Sequence, residues 1–585
     1  MMLRKKMTQS AFSRLIPFLS PYRWWFLIIG FFLLLIAFFT TLPPWLLQYA
    51  IDIALPAGSE SWLLWLGAGI LLLSLTEGMM SFFQQVISEW VSQKVIFEIR
   101  SRLFHHLNQL SFSFFDRAHV GDLIARVVSD TDTLKRFIGF GLLKVITNAM
   151  ILLWILAALF YWNPWMGLMY LVMLPFMAHA MWAFSTRVRP AFRRIRKSTG
   201  QLTAFTREQL AGIEVIKLFG NETYTASLFH QENDRILTDT MTTNRISAFW
   251  LPYSDALLGF FTGLVLLSGG ILVAAEQITA GTFIAFLAYI NLLNRPIRQT
   301  GFLLNLFQQA DAAAERIVEL LDHQTTVPDL PDAQPFSQLK HSLKMESVSF
   351  SYQDQAVLQD ISFTVNKGET LAIVGPSGAG KTTLVHLLLR FYEPQQGSVL
   401  IDDKPIAEYT IESLRQKIGL VMQHPFLFDG TIRENIALGS PDAPLHSVQG
   451  AARQAQLHTF IETLPLGYDT PIGERGVRLS GGQAQRLALS RVLMREPEIL
   501  VLDEPTASVD HLTDQSIMDS VSSLMKEKTL LVIAHRLSTV KNADRILFLE
   551  QGQITGLGTH AELMQHHMPY RHFMETSGYS HQERR

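Results

Sequence analysis

Long apolar runs fill this sequence as far as about residue 300 and then stop. Six of them, about 24–51, 62–86, 137–162, 165–185, 247–273 and 279–300, reach about 20 residues or more. That is the length of helix needed to cross roughly 30 Å of hydrocarbon. Composition agrees: 48% of residues are hydrophobic and 17% charged, whereas soluble domains are about a quarter charged. The first run follows Lys5, Lys6, Arg14 and Arg23, as the core of a signal peptide would. It is too long for one and no small-residue cleavage site follows, so it is expected to be retained.

Lys and Arg placement orients the runs. Segments 52–61, 163–164 and 274–278 contain neither residue, whereas 87–136 and 186–246 contain many, among them Arg187, Arg189, Arg193, Arg194, Arg196 and Lys197. Both termini and the two long loops are therefore expected in the cytoplasm. The long loops carry apolar residues at helical spacing, as in "VIFEIRSRLFHHLNQL" at 95–110. A helix continuous from 62 to 110 would be about 70 Å long, projecting about 40 Å past the membrane as a stalk. A net charge of −2 gives no reason to expect a nucleic-acid partner. The absence of cysteine excludes disulfides, thiol catalysis and cysteine-bound metal.

Past residue 322 the character changes. A proline-rich polar stretch, 323–341, reads as a linker, 342–575 as a soluble α/β domain of alternating strands and helices, and 576–585 as a polar tail. Within that domain the strand "TLAIV" (370–374) runs into Gly375, Pro376, Ser377, Gly378, Ala379, Gly380, Lys381, Thr382 and Thr383, followed by a helical segment. Glycines let the backbone curl so that successive N–H groups face phosphates, and the helix N-terminus adds its dipole. Lys381 is placed to reach the terminal phosphates of a nucleotide and the Thr382 hydroxyl to ligate Mg²⁺. A second buried strand, "ILVLDEPTASVD" (499–510), ends in Asp503, a Mg²⁺ ligand through water, and Glu504, placed to orient the attacking water. A third, "LLVIAHR" (530–536), ends at His535, within reach of a γ-phosphate.

With "LSGGQ" at 479–483, these motifs resemble the ABC transporters, and the whole chain resembles a bacterial half-size ABC exporter of the multidrug and lipid-flippase type. Its fold would be a membrane α-helical domain of six transmembrane helices (1–322) followed by an α/β P-loop ATPase domain. The resemblance implies that Tyr352 stacks on adenine, that Gln423 links the metal to the membrane-domain contact, and that Asp510 speaks across a dimer. It also implies that 114–134 and 212–222 approach the ATPase domain as coupling segments, and that "GERG" (473–476) touches the stalks. "LSGGQ" opens a helix, so Ser480, Gly481, Gly482 and Gln483 can bind phosphate without a lysine, and in this family they complete the site of the partner subunit. The implied function is ATP- and Mg²⁺-dependent export or flipping of hydrophobic or amphipathic compounds across the cytoplasmic (inner) membrane by alternating access, with an importer on the same scaffold or an ATP-gated regulatory protein as alternatives. A homodimer is favoured over a heterodimer because Lys381, Glu504, His535 and the signature are all intact.

Glu77, Asp255, Arg295 and Arg298 fall within the apolar spans. Charges there mark either an internal ion pair or a water-accessible pocket for an amphipathic cation or a lipid head group. Met166, Met169, Met173, Met177 and Met181 recur at helical spacing, suiting either an adaptable cavity or lipid contact.

Overall fold

A computed structural model describes residues 11–58, 60–353, 355–473, 476–503, 528–534 and 537–576, apart from a few side chains, those of Arg295 and Arg298 among them. Contacts divide the chain into two compact units, Met1–Asn108 with His119–His323, and Gln109–Ala118 with Gln324–Arg585.

The first unit is helical. Among the described residues five stretches are long and apolar enough to cross a membrane: Arg14–Ala54, Glu60–Gln109, Val120–Trp162, Pro164–Ala211 and Glu222–Ala274. The sixth expected run lies in helix Ala280–Asp322, whose described apolar stretch, Ala280–Leu293, is shorter. Helix Glu60–Gln109 spans 50 residues, about 75 Å at 1.5 Å per residue, so the expected stalk is continuous with its membrane span. Its buried residues, Ser88, Val91, Ser92, Val95, Ile96, Ile99 and Leu103, form one stripe confined to the stalk half. Along the apolar half, Trp65, Leu71, Leu72 and Leu75 face outward, a surface that a bilayer accepts and water does not.

The reversals between helices are built by polar caps. Asn163 is the single residue between helices Leu142–Trp162 and Pro164–Ala211, and its side chain accepts from the N–H groups of Trp165 (3.0 Å) and Met166 (3.2 Å). Nearer the stalks, Arg316 grips the buried Asp130 with both Nε (2.8 Å) and Nη2 (2.5 Å), while Arg100 binds Thr131 and Asp132. Met166, Met173 and Met177 are buried, the first beside Tyr170 and Val265 and the other two beside Phe261. These three therefore pack helix Pro164–Ala211 against its neighbours and face neither lipid nor an open cavity.

The second unit holds two sheets. One has four antiparallel strands in the order β2-β1-β4-β5: β1 Ser342–Tyr352, β2 Gln355–Asn366, β4 Gln396–Ile401 and β5 Lys404–Pro405. The other has six strands in the order β10-β9-β3-β8-β7-β6: β3 Thr370–Val374, β6 Ile418–Val421, β7 Ile499–Asp503, β8 Thr529–Ile533, β9 Arg545–Glu550 and β10 Gln553–Gly558. All its pairings are parallel except β9 with β10. Strands β3 and β8 are buried along their whole length, as parallel strands covered on both faces must be. The stretch read as a linker is laid onto this unit. Phe336 and Leu339 are buried in the core beside β1, and the Gln334 amide donates to the Glu408 carbonyl at 2.8 Å. Its apolar residues account for this: polar and proline-rich on average, the segment still carries two side chains that water disfavours.

Candidate nucleotide site and membrane cavity

In a parallel sheet the functional loops leave from the carboxyl ends of the strands. Strand β3 ends at Val374, and Ile373 pairs with Ile533 of β8, which pairs with Asp503 of β7. Register alone therefore sets Asp503 beside the loop that begins at Gly375. Strand β6 runs beside β7, Val421 against Leu502, and delivers Gln423 two positions later to the same sheet edge.

The loop is shaped by its glycines. A Cβ on Gly375 would lie 2.0 Å from the Leu549 carbonyl oxygen, so no larger residue fits against β9. Gly380 has φ +103°, a left-handed conformation, and opens helix Lys381–Leu388. Pro376, Ser377, Gly378 and Thr382 are exposed, whereas Ala379, Lys381 and Thr383 are buried. Lys381 Nζ donates to the carbonyl oxygens of Gly375 (2.7 Å) and Pro376 (3.0 Å), which curls the loop around the ammonium group.

The signature is organised as a helix cap. Ser480 precedes helix Gly481–Leu493 and forms a reciprocal capping box with Gln483. The free N–H groups of this first turn, at Gly481 and Gly482, make an anion-binding end with no lysine. Gln485, one turn into the helix, donates to the Gln423 carbonyl at 3.3 Å. Arg491, which sequence reasoning passed over, ties the far end of the helix to the segment after Gln423. It donates to the carbonyls of Asn435 (2.9 Å) and Phe426 (2.8 Å) and to Asn435 Oδ1 (2.8 Å).

Tyr352 ends β1 among aromatic rings. Phe350 and Tyr392 both meet it edge-on, with centroids at 4.9 and 5.2 Å, and its hydroxyl lies 3.4 Å from His386 Nδ1. Burial raises the pKa of the Tyr352 phenol and lowers that of the His386 imidazole, the latter opposed by Asp116. Tyr352 borders a cavity of about 950 Å³, large enough for a purine nucleoside. Glu504, Asp510 and His535 lie outside the described residues.

In the membrane unit, Glu77 accepts a hydrogen bond from Thr40 Oγ1 at 2.8 Å, and Asp255 is exposed. Lys144, also missed in the sequence though it falls within 137–162, sits in helix Leu142–Trp162. The more concentrated charge lies elsewhere, in a cavity of about 540 Å³ between helices Pro164–Ala211 and Ala280–Asp322. Arg189, Arg193, Arg196 and Arg316 line it together with Phe184 and Phe302. Arg189 Nη2 is buried and has no hydrogen-bond partner among the described residues. The arginines of 186–246 were read in the sequence only as markers of orientation; their spacing of three and four gave the signal that one helix face gathers them.

Comparison with known proteins agrees with this geometry. The family model of the ABC transporter transmembrane region matches residues 26–297, and that of the ABC transporter matches residues 358–507. The chain is 36% identical over 557 residues to an uncharacterised ABC transporter ATP-binding protein, YknU, of Bacillus subtilis, covering 95% of each chain. It is 32% identical over 553 residues to an ATP-dependent lipid A-core flippase of Syntrophus aciditrophicus, covering 94% of this chain and 92% of that one. Among solved structures it is similar to a bacterial Atm1-family ABC exporter with ATP bound, with a TM-score of 0.80 and 27% identity over 94% of this chain and 98% of the other. The chain belongs to the half-size ABC exporters, multi-pass membrane proteins that couple ATP hydrolysis to export and work as dimers.

Proposed function

We propose that two copies of this chain form a pump in the cytoplasmic membrane that exports amphipathic compounds carrying an acidic head group. Both termini and the ATPase units then face the cytoplasm. The observation that carries the substrate class is the cavity of Arg189, Arg193 and Arg196, in which phenylalanines stand beside cationic groups and Arg189 Nη2 has no hydrogen-bond partner among the described residues. Guanidinium pairs bidentately with carboxylate and phosphate, while the rings accept an apolar body. The flippase relative, which by its name acts on lipid A-core, is consistent with a substrate of this class.

At the nucleotide, Lys381 and the amides of the loop hold the phosphates, and Tyr352 stacks on the base. The exposed hydroxyl of Thr382, the Asp503 carboxylate and the Gln423 amide oxygen are hard donors of the type Mg²⁺ takes. When bound, Mg²⁺ neutralises charge on the phosphates. Glu504 orients the attacking water and His535 contacts the γ-phosphate. Ser480, Gly481, Gly482 and Gln483 close on the nucleotide held by the partner, and Asp510 contacts the partner across that interface. With every element present in one sequence, two identical chains make two working sites, and the homodimer follows.

The substrate reading is tested by ATPase stimulation in lipid nanodiscs. Acidic amphiphiles should stimulate, and Arg189→Ala with Arg193→Ala should abolish that response while basal turnover persists. Stimulation by cationic amphiphiles alone would overturn it. Glu504→Gln should bind ATP and turn over almost none; wild-type turnover would remove Glu504 from its role.

A further inference from the structure

Residues Gln109–Ala118 follow directly on the stalk of helix Glu60–Gln109, yet they belong to the ATPase unit. Four contacts seat them there. Phe112 stacks on Phe391 with centroids 4.2 Å apart, and Thr326 binds both Ser111 (2.8 Å) and Ser113 (2.9 Å). The fourth contact is of a different kind: the Tyr392 hydroxyl donates to Asp116 Oδ2 at 2.5 Å, a charge-assisted bond. Tyr392 is 7% exposed, and its ring stands edge-on to Tyr352 at 89°. Asp116, His386, Tyr392 and Tyr352 all border the same cavity.

A stacking ring is useful to a ligand in proportion to how well it is held before the ligand arrives. The edges of Phe350 and Tyr392 restrict Tyr352 to one tilt, and edge-to-face pairs of this kind are individually worth only about 0.5–1.5 kcal/mol. Beyond its ring contacts with Phe350, Tyr352 and His386, the polar end of Tyr392 is anchored by Asp116, 276 positions away in the sequence.

We propose that Asp116 is a positioning residue for the nucleotide base. Through Tyr392 it fixes the ring of Tyr352, so that the segment following the second membrane helix contributes to the affinity for ATP. Coupling of this kind is reciprocal: bound ATP strengthens the seat of residues 109–118 by the same factor. The inference rests on the assignment of Tyr352 to the base.

The test uses the full chain in nanodiscs and compares two ligands, ATP and inorganic tripolyphosphate, which has no base. Asp116→Ala, and independently Tyr392→Phe, which keeps the ring and removes the hydroxyl, should raise the KM for ATP three- to tenfold. The kcat and the inhibition constant of tripolyphosphate should not change. In a Tyr352→Ala background neither substitution should raise KM further. If Tyr352→Ala weakens ATP but Asp116→Ala and Tyr392→Phe do not, the proposal fails and the assignment of Tyr352 stands. If Tyr352→Ala leaves KM unchanged, that assignment fails and takes the proposal with it. A parallel loss of ATP and tripolyphosphate binding, or a fall in kcat alone, would make Asp116 a docking residue only and overturn its role toward the base.

Discussion

Ser480 and Gln483 hold one another by their backbones: the Ser480 N–H donates to Gln483 Oε1 at 2.9 Å, and the Gln483 N–H donates to Ser480 Oγ at 3.3 Å. The two polar side chains of the signature therefore cap the helix themselves. Ser480→Ala should lower stability by about 1 kcal/mol, the usual value of an N-cap, in addition to any effect on ATP. Thermal melting without nucleotide reads the first effect and turnover the second. An unchanged melting temperature would mean that the cap contributes nothing.

Lys381→Ala removes a cation that orders its own loop. Charged hydrogen bonds contribute about 1.5–3 kcal/mol each, so with the proposed phosphate contact of Lys381 removed, ATP affinity should fall roughly ten- to a hundredfold. Two carbonyl oxygens, those of Gly375 and Pro376, also lose their donor. Equilibrium binding of a fluorescent ATP analogue measures the loss, and wild-type affinity would place the lysine outside the phosphate site.

Gly375→Ala is expected to damage the same loop from the other side. The new methyl group would meet backbone, the Leu549 carbonyl, and not a flexible side chain that could move away. A cost of about 1–3 kcal/mol follows from overpacking, seen as a lower melting temperature and weaker ATP binding together.

His386 gives the ATPase unit a pH dependence. Burial holds its pKa below the ordinary value, so near and below about pH 6.5 the unfolded chain binds more protons at this site than the folded one. Stability from this group is therefore complete above about pH 6.5 and is lost as the pH falls through the window between the unfolded and folded values. Asp116 narrows that window by favouring the imidazolium. The melting temperature of the wild type should drop faster on acidification than that of His386→Asn. Parallel curves would show that the histidine does not titrate with unfolding.

The parts legible in the sequence share one property: their meaning lies in contiguous residues. The strand, glycine-rich loop and helix at 370–388 are consecutive in the chain, and an apolar span announces itself by length. The rest was hidden because it depends on contacts between distant positions. Asp116 falls in 114–134, a segment marked in the sequence only as a whole, and Tyr392 in no marked motif, and only folding brings them within 2.5 Å. Phe336 and Leu339 were lost in a segment whose average is polar, since burial is decided residue by residue. The arginines from Arg189 to Arg196 were legible as charge but not as a cavity wall, because the opposite wall, at Asn305 and Arg316, comes from another helix more than a hundred positions later.

The single-residue reversal at Asn163 has a mechanical consequence. With both flanking helices capped onto it, there is no slack at this corner to absorb a change of angle. Helix Pro164–Ala211 has 48 residues and is about 72 Å long, so pivoting it by about 5° at Asn163 would sweep its far end through about 6 Å. Pro175 and Pro190 each remove a rung of hydrogen bonding along the shaft and are the places where such a lever would bend and shed part of its throw. A rotation too small to disturb packing near the corner is thus amplified, at the other end of the same helix, into a displacement longer than one helical turn.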